Sequence, residues 1–459
     1  MQQSHLRVKE LRHSLKQGDA EAARLLLAHS ASLGHERLAL RRYLAGRFLG
    51  AGRLEAFLPH VRNAASHLAP SELLIMARSL AKEGTSQEEV HSVASELLPL
   101  SRPFILPYDG TLPALKAHPE RCGTDACLLG RLTMGERAWL GTGSVIRADG
   151  HFVQIGDDFR LGEMSTVHIA HDIFPTIIGD RVSVGRNAVV HACTVGDHCL
   201  IEDDVVILDG SILESHVLIE AGSTVFPRSK LEGGHVYSGS PAKAVRTLSP
   251  EEFKQLFKAA DEAFVAALFA TAKREKALVR LENQVFAAGT ATIQGDVVAE
   301  ACSSIFFGCQ LDASSNPITI GANSNIQDNT VIEASDAAVA IGDNTTIGHN
   351  VLVRSCRIGA RSLIGMGSRI DAGTIIDDDV LLAAGSTTTP GQHLEGGWLW
   401  GGRPARPISK LNDERRAMMA LTVQQYRGYG AAYRDAQEQR AAKGGTDGAS
   451  SVDDSYPDW

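Results

Sequence analysis

The chain has 459 residues, a formal net charge of -9, 44 glycines and only 5% aromatic residues. That length accommodates three domains, and an acidic chain with no basic run speaks against a nucleic-acid partner. The opening MQQSHLRVKELRHSLKQ has no apolar signal core and no apolar run is long enough to span a bilayer, so a cytoplasmic protein with no membrane partner is expected.

Residues 1–100 are rich in Ala and Leu at helical spacing, as in AEAARLLLAHSASL and ERLALRRYLAGRFL. They predict an all-α stack of helical hairpins, without convincingly filled tetratricopeptide positions, that serves interaction or oligomerisation and offers a face to a protein partner. Pro103, Pro107, Pro113 and Pro119 make residues 101–123 an extended connector.

A different periodicity begins near residue 124. From Ile178 the chain reads IGDRVS, VGRNAV, the five-residue VHACT, VGDHCL, IEDDVV, ILDGSI, LESHVL and IEAGST. An aliphatic residue at every sixth position, followed by Gly or a small or polar residue, fits neither an amphipathic helix nor an alternating strand. It predicts a left-handed parallel β-helix in which each six is a short strand plus a corner, and three sixes close a triangular coil. From Ile320 the pattern returns as IGANSN, IQDNTV, IEASDAAVA, IGDNTT, IGHNVL, the five-residue VRSCR, then IGARSL, IGMGSR, IDAGTI, IDDDVL and LAAGST. The shared five-residue step makes the two arrays copies of one domain, over 124–248 and 285–408.

Both arrays end alike, in VYSGSPAKAVR and in LWGGRPARPIS. Ser249-Pro250-Glu251-Glu252 is a helix start. An apolar stripe from Phe253 predicts a linking helix over 249–284, reaching about Leu281 and roughly 50 Å long. That suffices to return the chain along the first prism and stand the second beside it, parallel. A second helix follows over 409–443, and 444–459 read as a disordered tail. The fold class is therefore mainly β: two left-handed hexapeptide-repeat β-helices, each trailed by an α-helix, after an all-α domain. The seven cysteines contain no CxxC pair and read as reduced thiols.

Within the first array, His168 and His191 each follow a lead residue, one coil apart on one face, and strands one coil apart are about 4.8 Å from each other. Two imidazoles at that spacing can converge on one metal ion. The segments IRADGHFVQIG, STVHIAHD, VGRNAVVHACTVGD, VILDGSILESHVLIEAGSTV and VYSGSPAKAVR resemble the gamma-class carbonic anhydrase family of left-handed β-helices. The resemblance covers nearly all of residues 140–250 and, more weakly, 305–415.

In that family zinc takes two histidines from one prism and a third from its neighbour. The resemblance implies His168 and His191 as the first pair, with Arg186 standing where the third would be. In the second array the counterparts of the pair are Glu333 and Arg354, whereas the counterpart of Arg186 is His349. The family's Arg-x-Asp motif survives as Arg147 and Asp149 in the first copy, against Phe307 and Cys309 in the second. Its Gln-Asp motif survives as Gln327 and Asp328 in the second, against Gly162 and Glu163 in the first. These complementary losses predict one shared centre: His168, His191 and His349 as metal ligands, Gln327 orienting the nucleophile, Arg147, Asp149 and Asp328 bracing the contact, and Tyr237 as the family's nearby aromatic. The metal is zinc or iron, and three imidazoles with an open fourth position would activate water at neutral pH to attack carbon dioxide or a related small electrophile.

Two further functions remain open. Hexapeptide prisms often bind acetyl-CoA or another acyl-CoA between neighbours, with a histidine such as His349 or His191 as general base. A degenerate, non-catalytic scaffold is the other. Packing of β-helix faces predicts a homo-oligomer in every case.

Overall fold

The computed structural model describes residues 2–98, 101–269, 280–281 and 284–442, so the tail read as disordered lies outside the described residues. The chain forms two compact units: the N-terminal helices with the linking helix from Lys258 onward, and the two prisms with the rest. Among the described residues no helix is long and apolar enough to cross a membrane.

The first unit contains α1 (Gln2–Lys16), α2 (Ala20–Ser32), α3 (Glu36–Leu49), α4 (Leu58–Ala65), α5 (Pro70–Leu80) and α6 (Gln87–Ser95). Asp19 caps α2 by accepting from the amides of Glu21 and Ala22, and α3 ends on Gly50 in the left-handed region. α3 is the centre of this unit, burying Leu40, Tyr43, Leu44 and Phe48 and packing on α2, α4, α5 and α6.

In the second unit each six contributes a strand of two or three residues that stacks in parallel on its equivalent one coil away. The lead residues form continuous columns: Val167, Val190, Ile207 and Val225 on one face, Ile178, Val195, Leu213 and Leu231 on the next, Leu161, Val184, Ile201, Ile219 and Tyr237 on the third. The second prism repeats this with Ile332, Val353 and Ile370, with Ile320, Ile341, Ile358, Ile376 and Leu394, and with Ile305, Ile326, Ile347, Ile364, Leu382 and Trp400. These side chains are nearly all buried. Such burial stabilises by about 1.5–3 kcal/mol each, which is why the aliphatic position of each six is the one that repeats most strictly. The cysteines are free, and burial pushes the thiols of Cys122, Cys199 and Cys356 up to about 12.

Two boundaries differ from the sequence expectation. Residues 101–123 are not a free connector. Phe104–Leu106 pairs with Cys127–Leu129, Ala114–Leu115 with Thr133–Met134, and Arg121–Cys122 with Trp139–Leu140. Pro103 precedes the first of these short strands and Pro107, Pro113 and Pro119 fall between them, where no ladder N–H is needed. The linking helix, α7, spans Pro250–Ala267 with Ser249 accepting from the Glu252 amide. Its length is about 27 Å, short of the expected span. Arg280–Leu281 is a strand on Val298–Ala299, so pairing at the base of the second prism replaces helix there. Residues 270–279 lie outside the described residues.

The prisms nevertheless stand parallel. Contacts between them climb both chains together: Cys127 Sγ to Thr290 Oγ1 at 3.4 Å, Arg147 Nε to Asp328 Oδ2 at 2.8 Å, Asn329 Nδ2 to Thr166 Oγ1 at 3.0 Å, Asn350 Nδ2 to Asn187 Oδ1 at 2.9 Å, Arg369 to Asp204 at 3.0 Å and Arg403 Nη1 to the Gly222 carbonyl at 2.7 Å. Gly367, at φ +65°, lies so close to the neighbouring prism that a Cβ there would meet Val206 Cγ2 at 2.4 Å.

Gly367→Ala should therefore destabilise the chain by at least ~1–3 kcal/mol from backbone strain alone, with the prism contact adding to it. Chemical denaturation reads this, and an unchanged midpoint would mean the prisms do not approach so closely.

Candidate metal centre

The contact between prisms gathers six ionisable side chains and one tyrosine in the interior. His168 ends the strand Thr166–His168 and His191 ends Val189–His191, and the two are register partners one coil apart. His349 follows the strand Thr346–Ile347 of the second prism and turns toward them. His168 Nδ1 lies 3.2 Å from His191 Nε2 and 3.1 Å from His349 Nε2. One ligand atom from each of the three falls within 4.8 Å of the others, and all three residues are buried.

Each imidazole has its other nitrogen on a carboxylate. His168 Nε2 is 2.8 Å from Asp149 Oδ1 and His191 Nδ1 is 2.6 Å from Asp209 Oδ1. His349 Nδ1 is 3.2 Å from Asp328 Oδ2, in ion-pair reach though without hydrogen-bond alignment. A carboxylate behind an imidazole fixes its tautomer and turns the free nitrogen lone pair inward. Three lone pairs therefore face one point.

Charge balance supports a cation there. Arg147 is fully buried between Asp149 and Asp328, donating Nε to Asp328 Oδ2 at 2.8 Å and Nη1 to Asp149 Oδ2. One guanidinium thus faces two fully buried carboxylates, with Asp209 a third nearby. Burial pushes the Asp149 carboxyl up to about 6, although Arg147 opposes this. Burial acts the same way on Asp328, but Arg147 and then His349 outweigh it and hold it below the usual range. Burial lowers His349 to about 4, against the pull of Asp328, and lowers His168 further, helped by Arg147. Neutral imidazoles beside surplus negative charge suit a divalent ion, and nitrogen donors about 3.3 Å apart are what a tetrahedral ion with bonds of about 2.0–2.1 Å requires.

Of the residues expected from sequence, Arg147, Asp149, Asp328 and the three histidines come together. Gln327 is buried beside them, but its amide donates to Asn325 Oδ1 at 3.2 Å and no hydrogen bond joins it to the histidines. Tyr237 is elsewhere. It is the lead residue of the last coil, stacked on Ile219 on another face, and its hydroxyl donates to the Glu232 carbonyl at 3.0 Å. Trp400 is its equivalent in the second prism, donating Nε1 to the Glu395 carbonyl at 3.1 Å. Both aromatics close the end of a prism, so Tyr237 is part of a core and not of the centre.

Two residues were missed. Asp209 stands behind His191, and its side chain, 40% exposed, marks the flank on which the cluster nears solvent. Tyr426 comes from α8 (Asp413–Ala442), and its Oη lies 3.2 Å from His349 Nε2 and accepts from Arg147 Nη2 at 3.1 Å. A signal existed for it: Tyr426, Tyr429 and Tyr433 recur at the i, i+3, i+7 spacing of one helix face.

The abandoned positions look different. Arg354 pairs with Glu333 at 3.1 Å and Arg186 with Asp203 at 2.6 Å, all with substantially exposed side chains. The three histidines stand where the prisms meet, and their counterparts in the other copy form ordinary exposed ion pairs.

Hexad columns, triangular coils and a shared histidine cage define a protein of the left-handed β-helix, hexapeptide-repeat class. The family described as "Hexapeptide repeat of succinyl-transferase" matches residues 175–209, 338–372 and 355–390. The chain is 31% identical over 136 residues to the "Probable carbonic anhydrase" of Methanocaldococcus jannaschii, covering 30% of this chain and 85% of that protein. It is 32% identical over 162 residues to Gamma carbonic anhydrase 2, mitochondrial, of Arabidopsis thaliana, covering 34% of this chain and 58% of the relative. It thus spans little more than half of that relative's length. A crystal structure of a hexapeptide transferase family protein from Anaplasma phagocytophilum is also similar, at 25% identity and a TM-score of 0.33, over 37% of this chain and 98% of that one. The chain belongs to the gamma-carbonic-anhydrase-like group of the hexapeptide-repeat superfamily.

The lowered histidines give a pH dependence. The folded pKa of His349, about 4, lies below its ordinary 6.5. The folded state therefore binds fewer protons, and stability present above about pH 6.5 is lost as pH falls toward 4. Asp149, raised from 3.8 to about 6, acts in the opposite sense, losing stability as pH rises through 6. The difference between wild type and His349→Gln isolates the histidine. In chelator-treated protein, wild type should lose more stability than the variant between pH 6.5 and 4, as read from urea midpoints. Equal losses would show that His349 does not stay neutral in the fold.

Proposed function

We propose that the two prisms share one mononuclear metal centre, held by His168, His191 and His349, that activates water for addition to carbon dioxide or a related small electrophile. The observation that carries this reading is the inward convergence of three carboxylate-backed imidazole nitrogens in a buried, negatively charged contact. Zinc suits this nitrogen set best, and iron is the alternative. When bound, such an ion supplies Lewis acidity that brings the pKa of water near 7.

The protein's residues do the rest. Asp149, Asp209 and Asp328 hold the imidazoles in one tautomer each. Arg147 ties both prisms to the centre and keeps two of those carboxylates charged, while Phe306 and Tyr426 cover its guanidinium and exclude water. The His191 and Asp209 flank is where a small substrate enters and where a released proton reaches solvent.

The acyl-CoA alternative has less support. α8 lies in the groove between the prisms, with Gln437 bonded to the Gly289 amide of the second and Arg440 to the Ile105 carbonyl of the first. A pantetheine arm would need that groove on this side of the histidines.

Purified full-length chain should hold one zinc per molecule by elemental analysis. His349→Ala should abolish stoichiometric binding, and Asp209→Asn should weaken it about 10–100-fold. Carbon dioxide hydration by stopped-flow should fall with metal content. Full metal retention by His349→Ala would end the shared-centre reading.

A further inference from the structure

We propose that Tyr426 Oη is a fourth donor to this centre, delivered by α8, so that docking of the helix closes the coordination shell. The inference rests on the three-histidine reading above and adds to it a residue and a means of control. Four donors around a tetrahedral ion with bonds of about 2.0–2.1 Å stand about 3.3 Å apart. The imidazole nitrogens are separated by 3.1 and 3.2 Å, and Tyr426 Oη is 3.2 Å from His349 Nε2. The hydroxyl therefore stands at ligand-to-ligand spacing from one of the three nitrogens.

Burial, with Asp149 and Asp328, pushes the phenol pKa up, and Arg147 opposes them. Arg147 Nη2 donates to Oη at 3.1 Å, which offers an anionic oxygen a charged partner and leaves its remaining lone pair toward the imidazoles. The ring has little freedom to leave: it packs edge-on against Phe306 and Tyr429, with centroids 5.2 and 5.4 Å away. Among the described residues, the outer nitrogens of His168 and His191 bond Asp149 and Asp209, and that of His349 faces Asp328 at 3.2 Å. Tyr426 is the hydroxyl that reaches an inner one.

α8 is held from both sides. Tyr429 bonds His171 of the first prism, Gln437 bonds the second, and Arg440 stacks on Phe104 while bonding the Ile105 carbonyl. A four-protein-ligand centre is closed, whereas a catalytic one keeps a position open. With an ion bound and α8 docked, Tyr426 would occupy the position that water or substrate needs. Occupancy of the groove by α8 thus becomes a brake on the chemistry proposed above.

The test uses full-length chain loaded with Cu(II) or Co(II), and compares wild type, Tyr426→Phe and Tyr429→Phe. Wild type and Tyr429→Phe with Cu(II) should show a phenolate-to-copper charge-transfer band that Tyr426→Phe lacks. The Co(II) spectrum of wild type should resist millimolar azide, while that of Tyr426→Phe should shift as azide takes the vacated position. One ion per chain without the band, and equal azide shifts in all three proteins, would overturn the Tyr426 assignment and leave the histidine cage standing. Failure of wild type to take up either ion would overturn both, and would appear as missing metal before any spectrum is recorded.

Discussion

The guanidinium of Arg147 is the contact on which the rest of the arrangement depends. It starts in the first prism, and its two carboxylate partners come one from each prism, all three fully buried. A buried ion pair is weak evidence for net stability, because desolvation offsets attraction, but stripping one partner costs about 3–5 kcal/mol. The network therefore acts on register. Sliding one prism past the other by a single coil, about 4.8 Å, would leave Asp328 unpaired in the interior. The alignment that satisfies Arg147 is the same one that brings His349 Nε2 within 3.1 Å of His168 Nδ1. Interface asparagines reinforce it. Asn329 and Asn350 occupy left-handed corner positions, and their amides reach across to Thr166 and to Met164 and Asn187.

Most of this was legible in the sequence, for a physical reason. A solenoid is close to one-dimensional, so period alone assigns each residue to a face and a coil, and His168, His191 and His349 could be placed without coordinates. Tyr237 shows the limit of motif matching: the same VYSGSP segment that marks the end of a prism also puts its aromatic into the last lead position, where filling the core decides its fate. What the period cannot reach is anything delivered by a non-repeating element. Tyr426 lies on a helix whose seat in the groove is fixed by tertiary contacts, and Asp209 matters only because His191 stands one coil below its loop. The connector was misread for a related reason, since prolines at strand ends resemble prolines in a linker.

Duplication followed by division explains the asymmetry of the two copies. An unduplicated prism that meets identical neighbours must carry every residue of the centre, because each prism presents both sides of the contact. Once two copies are joined and one face of each meets the other, a prism needs only the half that faces inward. Glu333 and Arg354 sit at the coil positions of His168 and His191, register partners of each other as the histidines are, yet form an exposed ion pair. Arg186 likewise turns to Asp203. Random decay would have spared or removed residues without regard to burial. At the histidine positions the retained residues are buried and the substituted Glu333, Arg354 and Arg186 are exposed, whereas Phe307 and Cys309, which stand where the other copy has Arg147 and Asp149, are buried.

α8 completes this logic. A groove between two parallel prisms is concave, and its walls here include Phe104 and Tyr108 from the first prism and Phe286 and Phe307 from the second, apolar surface that water would otherwise meet. The tyrosine face of α8 covers it: Tyr433 packs against Phe286, Phe307 and Tyr108, while Tyr429 meets Tyr108 edge-on and bonds His171. At Tyr426 and Tyr429 the ring fills the groove while the hydroxyl meets polar groups beneath; among the described residues the buried Tyr433 hydroxyl has no such partner. At Tyr426 those groups are Arg147 and His349, so the residue that seals the groove is also the one set against the imidazole cage. Covering the apolar groove and limiting access to the centre are then one structural event, and a change that loosens α8 must expose both together.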